Sequence, residues 1–161
     1  MKAYKADVTF RQEYPDTIAL HCSDGRFTGA VHALLSAHKH SYYDIMALPG
    51  GPALLDMSTA SIIEAEATRG GTSFLVQGHH IEHAFLIAHE NCGFYKKRYA
   101  GQPADRIRER QVRDLRMAHA WFGKVHPTVD VALFMASPNV EQGSVVFSPV
   151  EPGAAGDFTF L

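Results

Sequence analysis

The sequence predicts an α/β fold: a mostly parallel central sheet of four to five strands, with helices on both faces. Three observations predict it. Short apolar runs recur at Thr17–Cys22, Tyr42–Leu48, Ala84–His89 and Thr128–Met135. Stretches with apolar residues at helical spacing separate them, and alternation of this kind builds a parallel sheet covered on both faces. Two of the runs end in reactive side chains and a glycine, as expected where a parallel sheet delivers a site beyond the carboxyl ends of its strands.

The elements follow in order. Residues 1–16 are mixed and polar, an arm or strand closed by the Tyr14-Pro15-Asp16 turn. Thr17–Cys22 is the first strand. Residues 28–39 carry Val31, Leu34, Leu35 and Ala37 on one face, behind Thr28 as a cap, and predict a helix. Tyr42–Leu48 is the second strand and ends at the turn Pro49-Gly50-Gly51-Pro52. Ser58–Arg69 predicts a helix stopped by Gly70-Gly71. Thr72 then opens a further piece, helix or strand. Ala84–His89 is the third strand. Pro103–Phe122 predicts a long amphipathic helix with Ile107, Leu115, Ala118 and Phe122 on its buried face. Thr128–Met135 is the fourth strand, Val145–Val150 an edge strand, and Pro152–Gly156 a loop-like tail. With no internal repeat or linker, 1–161 reads as one domain.

Composition narrows the function. The 46% hydrophobic and 20% charged residues are those of an ordinary globular chain. A net charge of -2 argues against nucleic acid or an anionic membrane as partner. No apolar segment has transmembrane length, and the N-terminus lacks the apolar core of a signal peptide. The cytoplasm is the expected location. There, two cysteines point to a metal or to catalysis more than to a disulfide.

Those cysteines stand at the two reactive strand ends, in Cys22-Ser23-Asp24-Gly25-Arg26 and His89-Glu90-Asn91-Cys92-Gly93. Zinc favours thiolate and imidazole in tetrahedral geometry, and three protein ligands leave the fourth position open. From spacing alone two accounts stand. Either Cys22, His89 and Cys92 hold a metal, or the cysteines are small buried hydrophobes beside a satisfied histidine. If strand geometry continues past Cys22, Asp24 and Arg26 share its side. They are then part of the site, or else an ordinary turn salt bridge.

The two motifs resemble the Cys-x-Asp-x-Arg and His-x-x-Cys-Gly pair of the β-class carbonic anhydrases, in the family's order and with Gly50-Gly51 between them. The likeness runs roughly from 17 to 135 and is nearest to the small archaeal and mycobacterial members. It implies Zn2+ on Cys22, His89 and Cys92, and a catalytic dyad in Asp24 and Arg26. In an open state Arg26 holds Asp24 off the metal; in a closed state Asp24 is the fourth ligand. The implied reaction is reversible hydration of carbon dioxide to bicarbonate by zinc-bound hydroxide. The implied assembly is a homodimer or higher homo-oligomer.

The chain also departs from that pattern. Ala47-Leu48-Pro49 stands where the family has Arg-Asn-Ala, and Phe94-Tyr95 follows Gly93 in place of small residues. A more apolar pocket suits carbon disulfide or carbonyl sulfide hydrolysis on the same scaffold, and a non-catalytic zinc protein is the third reading. His79, His80 and His83 suggest a second metal or a proton relay on a helix, against a solvated helix end. His38 and His40 read as surface residues; Tyr42, Tyr43, Trp121 and Phe122 read as core or subunit contacts.

Overall fold

The computed structural model describes residues 1–153, so most of the tail read as loop lies outside the described residues. Five strands form one sheet in the order β2-β1-β3-β4-β5. They are β1 (Thr17–His21), β2 (Asp44–Ala47), β3 (His83–His89), β4 (Asp130–Asn139) and β5 (Ser144–Pro149). The first four run parallel; β5 turns back antiparallel on the far end of β4, pairing Phe134 with Pro149 and Asn139 with Ser144. That return explains why β4 runs past the predicted Met135.

The helices are α1 (Gly25–Ala37), α2 (Ile62–His79), α3 (Gly93–Arg98) and α4 (Ala104–Val125). Strand alternation sorts the core into two layers. Ile18, Leu20, Leu86, Leu133 and Met135 face α2 and α4, against Val76, Leu115, Ala118 and Phe122. Ala19, Phe85, Ile87, Phe134 and Ala136 face α1, against Phe27, Val31 and Leu35. Both sides of the sheet are therefore covered, which is why the strands read as continuous apolar runs.

Three local expectations are corrected. The chain does not continue as strand past Cys22: Asp24 caps α1, its carboxylate taking the Arg26 N–H at 3.1 Å, and the helix begins three residues before Thr28. Ser58 does not start α2. Asp56 holds it in a turn through its N–H and hydroxyl, and the helix starts after Ser61, in a reciprocal cap with Glu64. Gly70 and Gly71 do not stop that helix. Both lie inside it, with Ala65, Thr68, Thr72 and Val76 forming one buried stripe across the pair. Burial of the stripe outweighs the roughly 1 kcal/mol that each glycine costs a helix.

The arm forms no strand and is tied down where Tyr42 donates to the Glu13 carbonyl and Tyr14 stacks on His79. Phe122 is fully buried and Trp121 packs at the edge of the same core.

Candidate metal centre

β1 pairs with β2 on one side and β3 on the other, so the strand order reverses between β1 and β3. Crevices form at such points, beyond the carboxyl ends of the strands. Cys22 follows the last residue of β1, and His89 is the last residue of β3. Both cysteines and His89 are buried. Each offers one ligand atom, and these atoms lie within 4.8 Å of one another; no other such group occurs among the described residues. The two sulfurs are 3.8 Å apart.

The backbone around them explains the convergence. Leu48 donates its N–H to the His21 carbonyl at 3.2 Å and accepts from Ser23 and Gly51 at 3.1 and 2.8 Å. The Ala47-Leu48-Pro49 segment is thus stitched to the exit of β1 by main-chain bonds. Gly51 lies so close that a Cβ there would meet the His21 carbonyl carbon at 2.7 Å. On the other side, Cys92 caps α3, which follows directly from the motif.

The histidine decides what this cluster is suited to. His89 Nδ1 lies 2.9 Å from the Glu90 carbonyl oxygen, which only accepts, so Nδ1 carries the proton. That leaves the Nε2 lone pair bare, and Nε2 is a buried atom with no hydrogen-bond partner. A buried acceptor without a partner is costly. Facing two thiols, it fits a thiolate- and imidazole-binding cation. The thiols fit too. Cys22 is drawn down by the Cys92 thiol beside it, against the cost of burial, with help from the Gly50 and Asp24 N–H groups. Cys92 is pushed up by the same neighbour and by burial. Two sulfurs 3.8 Å apart do not both ionise at ordinary cost without a cation between them, so a bound cation favours the thiolates.

Asp24 and Arg26 stand beside the cluster. Arg26 Nη2 and Nε donate to the two carboxylate oxygens of Asp24 at 2.6 and 2.9 Å. This pairing holds the Asp24 carboxyl down at about 2. The guanidinium itself is 71% exposed. Asp24 is not among the clustered ligands; its carboxylate is spent on Arg26 and the α1 cap. Phe27, one residue on, lays its ring 4.2 Å from that of His89.

No family model matches the sequence, and no curated protein matches it. The solved structures do. The carbonic anhydrase of Streptococcus mutans superposes with a TM-score of 0.57 at 11% identity, covering 91% of this chain and 88% of that one. The fold is that of the β-carbonic anhydrases. A β-carbonic anhydrase of Trichomonas vaginalis gives 0.56 at 11% identity, over 91% and 88% of the two chains. That of Aspergillus fumigatus gives 0.56 at 10%, over 88% and 78%.

Within this β-carbonic-anhydrase fold the histidine trio takes no part in the site. α2 ends at His79, His80 caps it with φ 57°, and His83 opens β3. The three thus sit at the opposite end of the strand that carries His89, about 20 Å away at 3.3 Å per residue. The helical i,i+4 pair does not exist, and a relay to the cluster is ruled out by distance. His79 instead bonds Asp44 at 2.6 Å. His40 is half-buried, bonded to Thr17 at 2.7 Å and packed on Phe85, whereas His38 is exposed.

Sequence reasoning missed two supports, and did not see the role of a third residue, Tyr95, that it had named. Gln111 of α4 is buried and donates to the His89 carbonyl at 2.7 Å. Asp114, one turn on and wholly buried, accepts from Tyr95 at 2.8 Å and Thr59 at 3.0 Å. Tyr95 is buried in one cluster with both cysteines. A signal was present: Ile107 and Leu115 flank position 111 by four residues each, which puts a glutamine on the core face.

Proposed function

We propose that this chain is a zinc-dependent lyase of carbonic anhydrase type, interconverting carbon dioxide and bicarbonate. The observation that carries the proposal is the bare, buried Nε2 of His89 facing two thiols at the switch point of this fold. Cys22, His89 and Cys92 would hold the metal. When bound, zinc supplies a Lewis acid that lowers the pKa of water toward neutrality.

The remaining chemistry belongs to the chain. Asp24 is fully ionised at neutral pH because Arg26 holds its carboxyl at about 2. It therefore only accepts hydrogen bonds, and orients any O–H group brought beside it. The Arg26 fork fixes the direction of that carboxylate and keeps it out of the ligand set, the open arrangement. Phe27 covers one side of the His89 ring and excludes water there. The proton leaves through solvent, since the histidine trio is remote.

The assembly we propose is a homodimer or larger homo-oligomer of single-domain subunits. Ile45 on the edge strand β2 is 55% exposed, and Ile62 and Ile63 at the start of α2 are 69% and 83% exposed. No helix among the described residues is long and apolar enough to cross a membrane. Two free cysteines as ligands suit a reducing compartment, and we assign the cytoplasm.

The test is a metal analysis with stopped-flow hydration assays on carbon dioxide and carbon disulfide. The expected result is one zinc per chain, lost in Cys92→Ser, with carbon dioxide turnover that falls roughly tenfold or more in Arg26→Gln while zinc is retained. Full zinc occupancy with turnover of carbon disulfide alone selects the sulfur hydrolase. Full occupancy with no turnover of either substrate overturns the enzyme reading.

A further inference from the structure

We propose that Gln111 is a positioning residue for His89: through the His89 carbonyl it holds the turn that keeps the Nε2 lone pair facing the two sulfurs. The inference rests on the zinc reading for its consequence, though not for its geometry.

The sheet stops supporting the chain at His89. The last rung is the Glu90 N–H to the Ala136 carbonyl at 2.9 Å. The chain then reverses through Asn91, whose φ of 59° is left-handed. Asn is among the residues that adopt that region most readily, so the turn is tight without being strained. Its outer side is hollow: a cavity of about 240 Å³ separates Glu90 and Asn91 from Ala104, Ile107 and Arg108 of α4, with Gln111 on its wall. Apolar packing therefore does not hold this face of the turn.

Two polar contacts remain. Arg108 pairs with the Glu90 carboxylate, but both side chains are substantially exposed and solvent weakens the pair. Gln111 is 2% exposed, and its amide reaches the His89 carbonyl at 2.7 Å. The next carbonyl along, that of Glu90, is the one that takes the His89 Nδ1–H. Gln111 thus anchors one peptide of the turn, and the adjacent peptide sets the ring. If the anchor is lost, the turn can rotate into the cavity. The Glu90 carbonyl then leaves Nδ1, and nothing selects the tautomer that bares Nε2.

The experiment compares the full-length wild type with Gln111→Met, which keeps length and volume and removes the donor. Imidazole 15N spectra of the metal-free protein read the His89 tautomer. Competition with a chromogenic chelator reads zinc affinity, cobalt(II) spectra read ligand geometry, and urea unfolding reads stability. The wild type is expected to hold only the Nδ1–H form. Q111M should populate both forms, bind zinc roughly tenfold more weakly, and shift the thiolate-to-cobalt band. An Nε2–H form in the wild type overturns the proposal. So does a Q111M protein that is less stable but keeps the tautomer, the cobalt band and zinc affinity within about twofold of wild type, the mark of a structural residue only. If Q111M does not fold, Gln111→Asn, which keeps an amide but draws it back by one methylene from the His89 carbonyl, is read in the same way. A wild type that takes up no zinc, with its tautomer still moved by Q111M, overturns the zinc reading and leaves the positioning role standing.

Discussion

Gly51→Ala should damage this protein far more than Gly50→Ala, although the two glycines are adjacent. Both have positive φ, 88° at Gly50 and 55° at Gly51, so alanine costs each about 1–2 kcal/mol in backbone strain. What differs is the neighbour. A Cβ on Gly50 would meet the Phe94 ring at 2.6 to 2.9 Å, a half-buried side chain rather than main chain. A Cβ on Gly51 would meet the His21 carbonyl carbon at 2.7 Å, the Cys22 nitrogen at 2.8 Å and the His21 Cα at 3.1 Å. Those atoms belong to the exit of β1, which is paired on both sides and cannot move alone. Forcing a methyl group in adds about 1–3 kcal/mol. G51A should therefore lose about 2–5 kcal/mol, and the displaced Cys22 should also weaken zinc binding. G50A should lose less, about 1–2 kcal/mol of backbone strain plus the cost of moving Phe94. Urea unfolding of the metal-free chains and chelator competition measure the two effects. A G51A protein within about 0.5 kcal/mol of wild type would refute the reasoning.

Two further predictions concern α2 and α4. Gly70→Ala should stabilise by about 0.5–1 kcal/mol in urea unfolding, because a Cβ there meets nothing within 4 Å and the position is mid-helix. A loss of stability would mean that the helix ends at the glycine pair after all. Burial pushes the Asp114 carboxyl up from 3.8 to about 7, against the Tyr95 and Thr59 hydrogen bonds. The folded state therefore prefers it protonated. Its contribution is complete below pH 4 and is lost as pH rises through 7, on the order of 4 kcal/mol across that span. Asp114→Asn should flatten this decline. The difference between the two chains from pH 4 to 8 isolates Asp114 from the histidines, and parallel profiles would end the argument.

Most of what places the site was readable from local pattern. The apolar runs named β1, β3 and β4 because their central residues are buried on both faces, and the half-exposed edge strand β2 by the run that ends at its Pro-Gly-Gly-Pro turn. The motifs named their exits, and the cluster forms where those exits meet. The errors share a cause. Gly70-Gly71 looks like a stop by propensity, but the stripe from Ala65 to Val76 outweighs two weak residues. Asp24 and Arg26 looked like strand neighbours, but a carboxylate that caps the next helix ends the strand first. His79 and His83 looked like one helical face, but the helix stops between them. In each case a tertiary or capping interaction decided between two local readings.

The supports beneath the site were harder to see, for a different reason. A metal ligand announces itself by residue type. Gln111 and Asp114 are ordinary on a helix this charged, and their meaning comes from facing inward among Ile107, Leu115 and Ala118. Once that face is known, the two side chains divide the His89-x-x-Cys92 turn between them. Gln111 holds the carbonyl of its first residue, and Asp114 holds the Tyr95 hydroxyl behind its last. α4 thus grips both ends of the motif from a single face. This asks more of it than apolar packing: one polar side chain at each of two successive turns, each with a partner on the motif. A substitution on that face should therefore be read in the metal centre as well as in the stability of the core.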